Sequence, residues 1–134
     1  MNRHIVRAHA VAALLALTLT SCSSSTPSTP SPILTTETFT GTLVPGQKVV
    51  HPYPVTAAGT VTTTLTVLSG ASYVGIGSGT WDGAICTVQV HSENVTVGNY
   101  FLASVPSPQN LCALVYDTGA IATTATYTVT VSHP

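Results

Sequence analysis

From residue 37 onward, apolar and hydroxyl-bearing side chains alternate with a period of two, the signature of strands with one buried and one wet face. In GTVTTTLTVL (residues 59–68), Val61, Thr63, Leu65 and Val67 fall on one face and Thr62, Thr64 and Thr66 on the other. The closing TYTVTV repeats the pattern, with Tyr127, Val129 and Val131 inward and Thr126, Thr128 and Thr130 outward. Threonine suits the outer face because its branched Cβ favours extended backbone while its hydroxyl stays hydrated. The runs are punctuated by Pro45-Gly46, Ala58-Gly59, Ser69-Gly70, Asp82-Gly83, Gly98-Asn99 and Thr118-Gly119. With no helical periodicity between them, these signals predict an all-β, antiparallel sandwich of seven or eight strands.

One hairpin is readable in register. A two-residue turn at Asp82-Gly83 pairs Trp81 with Ala84, Gly79 with Cys86, Gly77 with Val88 and Gly75 with Val90. All eight then share a face. The glycines leave room opposite Cys86 and Val88, so this is expected to be the buried face, with Cys112 approaching across it and Trp81 at the rim of the core.

Charge narrows the function classes. Lys48 is the only Lys or Arg beyond residue 7, against Glu37, Asp82, Glu93 and Asp117. One basic side chain offers no footprint for a phosphate backbone, which excludes nucleic acid as a partner and also a basic patch for acidic lipid headgroups. Residues 37–134 form one stretch of single-domain size.

The first 36 residues read differently. Arg3 and Arg7 precede an apolar run, AVAALLALTLT (residues 10–20), too short to span a bilayer, so residues 1–21 are expected to be a secretory signal peptide. The run ends Leu19-Thr20-Ser21-Cys22, which resembles the bacterial lipoprotein lipobox. The resemblance implies cleavage before Cys22, lipidation of its sulfur and acylation of the new amino end, with palmitate-like chains holding the protein to a bilayer. Ser23 stands where some Gram-negative lipoproteins carry an Asp retention signal, which favours the outer membrane if the cell has one. SSSTPSTPSPILTT (residues 23–36) has no hydrophobic periodicity and reads, with Cys22, as a tether reaching ~20 Å as a coil or ~40 Å if extended.

Of the three cysteines, lipidation of Cys22 leaves Cys86 and Cys112 to pair in an oxidising compartment. The loop they close corresponds to roughly 3.5 kcal/mol in a chain-entropy estimate. A metal site on those two thiolates lacks close-spaced partner ligands.

Three stretches, PGQKVVHPYPVTAAGTVTTTLTVLSG (residues 45–70), VTVGNYFLASV (95–105) and YTVTV (127–131), resemble the bacterial pre-peptidase C-terminal domain. The resemblance implies a jelly-roll-like sandwich of the kind that accompanies secreted peptidases and other exoenzymes, some of whose relatives bind calcium, collagen or polysaccharide. Where that family often has Asp-x-Asp-Leu, this chain has YVGIGSG, which removes the carboxylates of a calcium site. The domain is also expected to stand alone on its tether, without a peptidase.

No constellation in the sequence carries catalysis. GIGSG lacks the following helix that a phosphate-cradling loop needs, no Gly-x-Ser-x-Gly elbow occurs, and four dispersed acids do not make a glycosidase pair. His91 and Glu93 share a strand face and, with His51 nearby, would form a weak Zn²⁺ or Cu²⁺ candidate. Tyr73, Trp81 and Tyr116 are the side chains from which a ligand platform at one end of the sandwich would be built, if they are not edge-of-core packing. Asn94-Val95-Thr96 matches a glycosylation sequon that carries little weight in a bacterial-type lipoprotein. The expectation is a lipid-anchored, non-catalytic, extracytoplasmic binding or accessory module with a polysaccharide or envelope-protein ligand and no cofactor. A structural envelope protein without a specific ligand is the alternative, and a hydrolase or metal-binding protein ranks behind both.

Overall fold

The computed structural model describes residues 33–134, so the expected signal peptide, Cys22 and the expected tether through residue 32 lie outside the described residues. Eight strands follow in order: β1 Thr35–Leu43, β2 Lys48–Val55, β3 Gly59–Ser69, β4 Val74–Trp81, β5 Cys86–Val95, β6 Tyr100–Val105, β7 Gln109–Tyr116 and β8 Ala125–His133. They form two four-stranded antiparallel sheets, ordered β1-β8-β3-β6 and β2-β7-β4-β5. This is the expected sandwich, with the interleaved strand order of a jelly roll. β1 begins at Thr35, so Thr35 and Thr36 belong to the sheet and not to the tether in which they were expected.

Alternation sorts the faces as predicted in the first sheet except at the end of β3, where a bulge between Leu65 and Val67 turns Val67, expected inward, out to 50% exposure and packs Leu68 against the core in its place. Val61 and Leu65 on β3 and Tyr127, Val129 and Val131 on β8 are buried against Tyr53, Ala113 and Val115 of the second sheet. Thr63 shares their inward face and is buried with its hydroxyl unpartnered.

The β4–β5 hairpin departs from its predicted register. The Asp82 carboxylate accepts hydrogen bonds from the backbone N–H groups of Ala84 and Ile85, at 2.8 and 2.7 Å, and Asp82 N–H donates to Ile85 C=O at 3.3 Å. These bonds enlarge the turn to four residues, so Trp81 pairs with Cys86 and Gly79 with Val88, and a bulge then brings Gly77 opposite His91. The buried-face assignment is also overturned. Val74 and Ile76 carry the apolar bulk of β4 and take the core, which turns Gly75, Gly77, Gly79 and Trp81 to the outer face of the second sheet.

The Cys86–Cys112 disulfide forms as expected, but on that outer face. On β7 the inward residues are Leu111, Ala113 and Val115, so Cys112 points the other way and is covered from outside. Cys112 pairs with Gly79, and the bridge therefore crosses β4 to hold the start of β5, with a Cα–Cα distance of 5.9 Å. A Cβ on Gly79 would lie 2.0 Å from the Thr87 carbonyl oxygen. Only a residue without a side chain lets β5 come this close.

At the opposite edge of the sandwich, β1 and β2 close the gap between the sheets with rings. The Phe39 and His51 rings stack with centroids 4.8 Å apart, and His51 Nε2 lies 2.8 Å from the Tyr127 hydroxyl. Next along the seam, the Tyr53 and His133 rings lie 5.3 Å apart and His133 Nε2–H donates to Glu37 at 3.3 Å. Burial holds the His51 pKa below its usual value and pushes Tyr127 up to about 12.

Two outcomes follow from this packing. Gly79→Ala drives a methyl into the β5 backbone, so it is expected to destabilise the domain by more than the ~0.5–1 kcal/mol that Gly→Ala gains at an unstrained site. Thiol titration should then find partial loss of the disulfide, and an unchanged melting temperature with no free thiol would show that β5 does not depend on Gly79. At the other edge, His51 binds protons less readily folded than unfolded, so its contribution is present above its unfolded pKa of about 6.5 and is lost as pH falls through the lower folded value. Thermal melts from pH 8 to 5 should show a decline that His51→Phe reduces; an identical decline in the variant would remove His51 as its source.

Candidate functional site

The outer face of the second sheet holds a shallow hollow, of about 300 Å³, lined by Pro52, Tyr53, Pro54, Trp81 and Asn110. Its position follows from strand register. Pro52 pairs with Cys112 and Pro54 with Asn110 across β2 and β7, while Trp81 reaches the same end from the last position of β4. Two prolines at alternate positions fit β2 because it is an edge strand, where N–H groups facing away from the sheet have no partner to lose. The neighbouring disulfide fixes β5 and, through the Trp81–Cys86 pair, the strand end that carries the indole. Proline rings and one indole face make apolar walls, and the indole N–H and the Asn110 amide are the side-chain hydrogen-bonding groups available there.

Trp81 is thus half-buried on an outer surface and belongs to neither core cluster, which corrects its expected place at the rim of the core. The platform of Tyr73, Trp81 and Tyr116 does not assemble. Tyr116 lies over Gly75, where a Cβ would fall 2.2 Å from the ring. Gly75 and Trp81 are separated by six positions of one strand, ~20 Å at strand rise. Tyr73 precedes β4 at the Tyr116 end. His91 and Glu93 are exposed on β5, while His51 faces inward on the far edge strand β2, so the three do not converge. Among the described residues there is no group of three or more His, Cys, Asp or Glu side chains placed to hold a metal ion.

The four carboxylates are dispersed. Asp82 and Asp117 serve turns: Asp117 accepts from the backbone N–H groups of Gly119, Ala120 and Ile121 through one oxygen and from Gly46 through the other. These bonds hold both carboxyls below the ordinary aspartate range, that of Asp117 chiefly through Gly46 and that of Asp82 chiefly through Ile85. Glu37 is occupied by His133, and Glu93 stands on the outer face of β5. A second crevice, beside Ser78, Val90 and Val105, has about 20 Å³, room for about one water molecule.

Of this lining, Trp81 is legible in the sequence as a candidate, whereas Pro52, Pro54 and Asn110 are not. The alternate prolines of HPYP do mark an edge strand. Nothing local says that this edge lies beside Trp81, because β7 supplies the connection between them.

No protein-family model and no curated protein matches the chain. Among solved structures, the crystal structure of Aeromonas hydrophila PliG, a periplasmic lysozyme inhibitor of g-type lysozyme, is similar with a TM-score of 0.54 at 14% sequence identity, over 72% of this chain and 84% of that one. At that identity the likeness is one of fold.

Trp81 is the only tryptophan, so intrinsic fluorescence reports the hollow directly. Its emission should be quenched readily by acrylamide, and Trp81→Ala should cost about 2 kcal/mol, from burial of roughly half an indole. Strongly blue-shifted, unquenchable emission with a loss of ~3–5 kcal/mol, the range for a fully buried Trp, would return the residue to the core.

Proposed function

We propose that this chain is a lipid-anchored, extracytoplasmic, non-catalytic module that binds a protein through the Trp81 hollow. The observation that carries the reading is the position of the single tryptophan, half-buried on an outer face and held between two prolines and an amide beside a disulfide. Tryptophan is among the residue types enriched as binding anchors, with a large rigid surface and one hydrogen-bond donor. The disulfide suits an oxidising compartment, and the lipobox at Cys22 supplies the attachment. The jelly-roll strand order supports the resemblance to pre-peptidase C-terminal domains, and membership of that family is part of the proposal.

The partner class draws on two further features. The described residues carry one Lys against four acids, a net charge of −3 with His neutral, which favours a basic partner. The solved neighbour is an inhibitor of g-type lysozyme, which makes a lytic cell-wall enzyme of that type the first protein to test. A polysaccharide ligand in the same hollow is the second reading, supported by the pairing of an indole face with the Asn110 amide.

Full-length chain purified in detergent is expected to bind g-type lysozyme saturably and slow its lysis of cell walls. Trp81→Ala should weaken both at least tenfold. No binding to g-type or other lysozymes, with capture on a glycan array lost in the same variant, would transfer the hollow to a polysaccharide. Cys22→Ser should move the protein out of the membrane fraction or leave it unprocessed; unchanged detergent partitioning would sink the lipid anchor.

A further inference from the structure

The outer face of the first sheet, on the opposite side of the sandwich, has a chemistry of its own. Thr38, Thr130, Thr64 and Tyr100 stand in one row across β1, β8, β3 and β6. Thr36, Ser132, Thr62 and Leu102 form the next. Thr40 and Thr128 extend the pattern on β1 and β8. Strand geometry sets the repeat at ~4.8 Å along a row and ~7 Å between rows. Among the described residues every charged side chain lies elsewhere: Glu37 turns inward, Lys48 and Glu93 belong to the second sheet, and Asp82 and Asp117 sit in turns.

A solvent-facing sheet without charge is unusual, since exposed edges are ordinarily protected from pairing by Lys or other charges. Here both edge strands of the sheet, β1 and β6, present hydroxyls, methyls and two large exposed side chains, Tyr100 at 65% and Leu102 at 57% exposure. We propose that this face binds a neutral polysaccharide, with the threonine hydroxyls matching sugar hydroxyls and the Tyr100 ring stacking on a pyranose. Three features favour that occupant. Each hydroxyl both donates and accepts, as a sugar hydroxyl does. The absence of charge fits an uncharged polymer and gives nothing to a lipid headgroup or phosphate. Threonine is under-represented among the anchors of protein interfaces, so an array of it suits many weak, repeated contacts better than a protein hot spot.

This surface is independent of the Trp81 hollow, and the experiment separates them. Full-length chain in detergent is incubated with microcrystalline cellulose and with chitin, sedimented, and run through gels containing soluble neutral glucans. Retention on at least one of these is expected, with Tyr100→Ala and Thr38→Glu, both at exposed positions, each lowering it tenfold or more at an unchanged melting temperature. Trp81→Ala should retain glycan normally, which also keeps this result apart from loss of protein binding. Absence of retention on every glycan, or retention that survives both substitutions, overturns the proposal. A concentration-dependent dimer that Tyr100→Ala and Thr38→Glu abolish would assign the face to a second copy of the chain instead, and likewise overturn it.

Discussion

β5 can lie against β4 only because Gly79 has no side chain, and the outer surface of the second sheet follows from that approach. The Thr87 carbonyl occupies the space that a Cβ would fill. The disulfide then spans the glycine, tying an edge strand to β7, two strands away. Since Cys112 is wholly covered, the bridge acts as a small external core on a face that hydrophobic patterning alone would leave open to water. Trp81 inherits its position from this arrangement: it is paired with Cys86 and stands at the strand end next to the prolines of β2.

The opposite edge is closed by different means. There the first strand of each sheet meets the other through Phe39 and His51, with Tyr127 supplying a hydroxyl from the middle of the first sheet. Gly41, the partner of Tyr127, makes room for the phenol, whose oxygen would be 2.3 Å from a Cβ at that position. Both closures therefore rely on a glycine facing something bulky, a ring in one case and a carbonyl in the other. They differ in what they respond to: the seam holds an ionisable ring in a partly desolvated place, while the clasp is covalent and indifferent to protons.

The two outer faces have little in common. One concentrates an indole, two prolines and a disulfide around a hollow, the composition of a point anchor. The other spreads hydroxyls across four strands without a charge. A sandwich suits such a division because period-two strands give each sheet an outer surface that the core does not constrain. A tether from Cys22 would enter at Thr35, on an edge strand of the threonine-bearing sheet, leaving the hollow on the far layer.

The sequence by itself determined the class of fold, the inward residues of β8 and those of β3 as far as Leu65, where a bulge turns Val67 outward, most of the turns and the pairing of Cys86 with Cys112. All of these rest on local rules: alternation assigns faces, turn residues end strands, and cysteine number limits the pairings. It did not determine the face of β4. Gly75, Gly77, Gly79 and Trp81 alternate with Val74, Ile76 and Ser78, so either set was compatible with a strand, and the choice went to the set with more apolar bulk to bury against Val115 and Leu65. The Asp82 carboxylate, by capping two N–H groups, lengthened a turn whose Asp-Gly dipeptide reads locally as two residues. Tertiary structure alone separated Tyr116 from Trp81, turned His51 away from His91, and set two prolines and Asn110 beside the indole. Those outcomes depend on which strands become neighbours, and in a jelly roll neighbouring strands are distant in sequence, so no short stretch of chain contains the information.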